Sequence, residues 1–188
     1  MGSAFNAGSV VRAVVVCLSV VGVWIPVAAV HSAPSQQATW KDYTSNEGRF
    51  IVRMPCEPSV STGTTESDLG PVELFTTACS GDNIYCSVIY QDMPEGLKRA
   101  TNDVLGRLCD GFVQGSGIRE IADRRDVVVA GIPGRELEGE TKDGDFRLLV
   151  RYLVVGRRIY TLIAGVSVDE PDTTRATRFV ESFRLVTK

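Results

Sequence analysis

The residues best equipped for chemistry in this chain are carboxylates, arginines and cysteines. The stretch "GVSVDEPD" (165–172) crowds Asp169, Glu170 and Asp172 into four positions at the end of an apolar run. Such a cluster has the oxygens for a cation and the paired carboxyls for acid–base work. It also stands where the apolar run gives way to "DTTRATRFVESF", in which Ala176, Phe179, Val180 and Phe183 recur at helical spacing. Proline suits the first turn of a helix, aspartate suits the cap, and acids meet the positive end of the helix dipole. The segment therefore reads as a helix start and not as a metal site. A calcium loop needs a denser pattern of oxygens.

Two other sets of carboxylates are candidates. Glu136, Glu138 and Glu140 alternate along one strand face, and Asp92 and Glu95 stand beside a hairpin. A glycan hydrolase places two carboxyls about 5–10 Å apart across a cleft, and alternate strand residues lie ~6–7 Å apart. A hydrolase using carboxylates alone, acting on an envelope glycan, is thus the second functional reading. Other catalytic groupings are missing. The only histidine is His31, at the edge of the N-terminal apolar segment. A domain without it has no Ser-His-Asp or Cys-His pair and no histidine ligand for a metal. No nucleophile elbow or phosphate loop is present either. "QGSG" (114–117) follows a helical pattern and reads as its C-terminal cap and turn. No catalytic residue, metal ligand or cofactor is assigned.

Arg147 and Arg151 share a strand face, and Arg157 and Arg158 lie at the adjoining turn. These four form a candidate binding face for an acidic partner. Alternate arginines on a strand also pair readily with acids on the next strand, here Glu136, Glu138 and Glu140. Trp40, Tyr43 and Tyr90 are read as core and hairpin residues, not as an aromatic binding patch.

The cysteines tell of a compartment. Behind Arg12 runs "AVVVCLSVVGVWIPVAAV" (13–30), followed by small residues and then a polar stretch. This describes a signal peptide over 1–32, with cleavage near 29–33. An uncleaved anchor is the alternative, since the run is long enough to span a bilayer. Cleavage leaves a short polar segment over 33–37 and one domain over 38–188, enough chain for a real core. That domain keeps Cys56, Cys79, Cys86 and Cys109. An even number in an exported chain reads as two disulfides, with three pairings open. Cys56–Cys79 with Cys86–Cys109 is the preferred set. The chain carries a net charge of −3, too acidic for a nucleic-acid stripe. No second apolar run reaches membrane length, so no membrane insertion of the mature domain is expected.

The elements that must position these residues alternate between periods of two and of three to four. Hairpins are expected at 38–44 with 49–54, at "PVELFTTA" with "NIYCSVIYQ", and across "FRLLVRYLVVGRRIYTLIAGV", with strands near 118–129 and 134–141. A helix is expected over 94–113 and another after Asp172. "CEPSVSTGTTESDLG" (56–70) reads as a polar loop. The class is α+β: an antiparallel sheet with helices packed on it.

That order, together with "YTSNEGRFIVRMPCEP", "VIYQDMPEG", "GIPGRELEGE", "FRLLVRYLVVGRRIYTLIAG" and "RFVESFRL", resembles small exported bacterial domains of the PsbP-like α/β/α sandwich fold. The resemblance covers roughly 38–188 and lies in turn and core residues. It implies the fold, and it implies a protein that binds or assembles. Such domains include a photosystem II subunit that steadies the oxygen-evolving centre and a nuclear import factor that binds Ran. No chloroplast transit features are present, so the photosynthetic role is not carried over. The leading expectation is a non-enzymatic binding or assembly module of the envelope, secreted or periplasmic. Its partner would be another envelope protein or a small ligand.

Overall fold

The computed structural model describes residues 40–67, 70–81, 83–93, 101–169, 172 and 174–186. The expected signal peptide and its anchor alternative, the polar segment, the helix start at 94–100, Glu95, Glu170 and Pro171 lie outside the described residues.

β1 (Lys41–Ser45) and β2 (Phe50–Met54) form the first hairpin, with Phe50, Val52 and Met54 buried on one face. β3 (Ser59–Ser67), β4 (Gly70–Gly81) and β5 (Ile84–Asp92) make a meander. α1 (Thr101–Ser116) follows, ending at Gly117 with φ of 66°. The Gly117 N–H donates to Val113 O at 3.0 Å, the left-handed cap expected for "QGSG". Then come β6 (Arg119–Glu120), β7 (Arg125–Val129), β8 (Ile132–Glu140), β9 (Phe146–Val155) and β10 (Arg158–Ser167). Gly156, at φ of 60°, turns β9 into β10, as a two-residue hairpin loop requires. α2 (Thr174–Glu181) and β11 (Arg184–Leu185) close the chain.

Among the described residues the strands form two antiparallel sheets. The small one runs β1-β2-β11. The large one runs β3-β4-β5-β10-β9-β8-β6, with β7 also on β8. β9 and β10 are nearly continuous apolar runs, both faces buried, as expected of central strands covered on both sides. One face packs against α2 and the small sheet, through Val88, Tyr90, Leu153, Tyr160, Leu162, Phe179, Val180 and Phe183. The other packs against α1, through Val104, Leu105, Cys109, Phe112, Leu137, Val150 and Ile163. The fold is an α+β sandwich, as the sequence pattern implies.

Three expectations are corrected. Residues 59–67 are a strand, not a loop, paired without a break to β4 from Ser59↔Ala78 to Ser67↔Gly70. A strand at a sheet edge with little buried surface has no apolar alternation to reveal it. The 118–129 segment is not one strand but the short β6 and β7, both laid along β8. Of the cysteines, Cys56 and Cys79 are bridged with Cα atoms 5.9 Å apart, whereas Cys86 and Cys109 are buried and unbridged. Cys86 belongs to the core under α2 and Cys109 to the core under α1. The large sheet lies between them.

Candidate functional site

Of the four arginines of the expected binding face, Arg147, Arg151 and Arg158 fall on one face of the sheet by strand register and Arg157 lies in the β9–β10 turn; the four do not form a single surface. Arg151 is buried. Its Nη2 lies 2.6 Å from Glu136 Oε2, and its Nη1 donates to Val180 O at 3.1 Å. Glu136, 3% exposed, is also held by Arg125 at 2.5 Å. Arg147 lies 3.5 Å from Glu140, which Arg119 also contacts, and Glu138 pairs with Arg125 at 3.0 Å. This is the cross-strand pairing weighed against the binding face. Each of the three glutamates is engaged by arginine, and Glu136 is sealed from solvent.

Arg157 and Arg158 lie at the far end of the same strands, about 13 Å from Arg151 and about 26 Å from Arg147 along β10 at ~3.3 Å per residue. There a cavity of about 410 Å³ opens between three segments remote in sequence: the β1–β2 turn, the β9–β10 turn and the C-terminal strand. Arg49, Arg157 and Arg158 line it, with Asp92 and Tyr160. Val155, Leu185 and Val186 supply its apolar wall.

Each wall has a local cause. Gly48 donates to Ser45 Oγ at 3.0 Å, and a Cβ there would lie 2.5 Å from the Phe50 ring. Only glycine fits this turn. It delivers Arg49 with φ of 54°, and the Val186 N–H ties onto Arg49 O at 3.0 Å. Tyr160 donates to Gly48 O at 2.7 Å, fastening the turn to β10. Arg157 donates to Met93 O through Nε at 3.1 Å and Nη2 at 2.7 Å.

Arg158 is fully occupied. It binds Asp92 with two bonds of 2.8 Å, donates to Glu47 O at 2.9 Å, and lies 4.8 Å from the centre of the Tyr90 ring. Its hydrogen bonds hold the Asp92 carboxyl below the usual carboxylate range despite some burial. The same partnership raises Arg158, and burial raises Tyr160 and lifts Tyr90 to about 12. All these groups therefore keep one charge state at neutral pH. Arg49 differs: it is exposed and has no ion pair among the described residues. Among the described lining residues the one acid, Asp92, is committed to Arg158.

The remaining candidates among the described residues have structural roles. Asp172 Oδ1 accepts from the Thr174 N–H at 3.1 Å and from the Thr174 hydroxyl, the cap expected of it. These bonds lower its pKa. Asp169 is exposed in the preceding turn. Tyr90 is buried, while Trp40 and Tyr43 pack against the core. Arg49, Leu185 and Val186 were not foreseen as site residues. A turn signal was present in "SNEG", but nothing local places it beside Arg158, whose contact with Glu47 spans 111 positions.

No family model and no curated protein matches the chain. Its structure is similar to solved ones. Cyanobacterial PsbP (CyanoP) from Synechocystis sp. PCC 6803 superposes with a TM-score of 0.52 at 14% identity, covering 84% of this chain and 98% of that one. A protein of unknown function from Pseudomonas aeruginosa, PA94, described as a putative regulator, gives 0.41 at 13% identity, covering 74% and 94%. The chain has a PsbP-like fold.

Proposed function

We propose that the protein is an exported binding or assembly module of the cell envelope, and that it takes an acidic group of its partner in the Arg49–Arg157 groove. The observation that carries this is Arg49, an exposed cation lining a cavity whose acid is already taken. An incoming carboxylate or phosphate would find a guanidinium with no ion pair among the described residues, beside the apolar wall of Val155, Leu185 and Val186. Charge-assisted bonds of this kind are stronger than neutral ones. Export is supported by the apolar N-terminal run behind Arg12 and by the Cys56–Cys79 bridge, since disulfides persist in oxidising compartments. A carboxylate-only hydrolase fits less well, because Asp92, Glu136, Glu138 and Glu140 are each bound by arginine.

The test is a titration of the exported protein with a tetraglutamate peptide and with inorganic phosphate, at low and high salt. Binding of either should weaken at least tenfold in Arg49→Glu and should weaken with salt. Equal binding by wild type and variant would overturn the reading. Mass spectrometry of the exported protein should find an N-terminus between Val30 and Pro34. An intact Met1 on membrane-bound protein would defeat cleavage.

A further inference from the structure

The two edges of the large sheet are treated differently. At one edge β6 and β7 are two and five residues long, and charges guard them: Arg119 on Glu140, Arg125 on Glu136 and Glu138, Asp126 on Arg135. Short, charged, interrupted edges resist pairing with another chain. At the other edge β3 runs nine residues in unbroken register, with no partner on its outer side among the described residues. Residues 59–65, "SVSTGTT", contain no charge and no proline. Residues 59–64 are exposed, Val60 by 62%. Apart from Glu66 near its end, β3 carries none of the usual guards among the described residues.

We infer that β3 is an interaction edge whose occupant is the β3 strand of a second copy, added antiparallel about a two-fold axis at Gly63. The strand is self-complementary in that register. Gly63 is its midpoint and falls opposite itself. Thr62 falls opposite Thr64, and Ser61 opposite Thr65, pairs that favour neighbouring strands. Val60 falls opposite position 66, so no like charges meet. A Cβ at Gly63 would meet nothing within 4 Å, so the axis is sterically open. Two-fold pairing satisfies both copies with one patch and leaves no edge to propagate. Nine residues at ~3.3 Å, in a sheet about 10 Å thick, bury roughly 600 Å² in total. Stable specific interfaces bury about 1,200 Å² or more, so this dimer is weak and reversible. The inference does not rest on the arginine groove.

The test uses the full chain in an exporting host. In two-fold register the Gly63 Cα atoms lie about 4.5–5.5 Å apart, within disulfide reach. Gly63→Cys under mild oxidation should give a covalent dimer at least tenfold more abundant than Ser61→Cys, which faces Thr65 instead of itself. Adding Thr62→Lys with Thr64→Lys sets lysine against lysine and should abolish that dimer. Thr62→Lys with Thr64→Glu sets lysine against glutamate and should restore it. Both pairs change exposed positions, and unchanged melting temperatures would show that the fold is intact. Equal cross-linking from positions 61 and 63 would overturn the inference. So would a dimer indifferent to the charge pairs, or a Gly63→Cys cross-link made only to a different protein.

Discussion

The α2 face and the α1 face of the large sheet are built from alternate residues of the same strands, yet they are stabilised differently. The α2 face carries a ring cluster, with Phe50 stacked on Phe183 at 5.7 Å and Phe75 on Tyr90 at 4.8 Å. It also buries the Arg151–Glu136 pair, and Cys86 lies directly across the ladder from bridged Cys79. The α1 face is mainly aliphatic, with Leu105, Leu137, Val150 and Phe112 in its core, and it buries Ser87, whose hydroxyl has no hydrogen-bond partner among the described residues. The difference teaches where specificity resides. Apolar packing tolerates exchange of similar volumes, while a buried ion pair penalises any arrangement that separates its partners.

The largest effects should be shared by the two faces. Phe179 and Phe112 are each fully buried on their helix, so Phe179→Ala and Phe112→Ala should each lose about 3–5 kcal/mol in denaturant unfolding. A much smaller loss at either would show that its helix is only loosely docked. Next comes an effect confined to the α2 face. Arg151→Met strands buried Glu136 with only Arg125, and should cost about 3 kcal/mol, the low end for breaking a buried pair. Arg151→Met with Glu136→Leu should recover most of that loss. A double mutant no better than the single would mean that the pair is not coupled.

Reduction of Cys56–Cys79 should cost about 2–4 kcal/mol, read as a shift of the unfolding midpoint with reductant. Burial pushes the thiols of Cys86 and Cys109 up to about 12 and about 11, so neither should alkylate in the native protein at pH 8. Both should react on unfolding. Ready labelling of either would contradict its place in the core.

The smallest effects lie at the exposed acids. Asp92 and Asp172 have pKa values below their ordinary ones when folded. Their contributions are therefore present above the unfolded carboxylate value of about 3.9 and are lost as pH falls through the folded values. Asp92→Asn should flatten the acid limb of the stability curve and leave the plateau above pH 5 parallel to wild type. Asp172→Asn should leave the melting temperature unchanged, while Asp172→Ala should lower it slightly, because asparagine caps and alanine does not. Calcium should shift none of the three.

What was local was legible in the residues themselves. Alternation gave the hairpin of Phe50 to Met54, the run over 146–166 announced a second strand pair, and the spacing of Val104, Leu108 and Phe112 announced a helix. Asp172 could be read as a cap because a cap bonds within its own turn. Tertiary structure alone decided the rest. β3 has no buried face of its own, so only its pairing with β4 makes it a strand. Strand parity put Cys86 with Ile84 and Val88, but which helix covers which side of a sheet is not written in either segment, and so the partner expected for Cys86 lay across the sheet. Arg49 and Arg158 meet because two turns and a terminal strand converge, and no periodicity within one segment can report a contact made between segments.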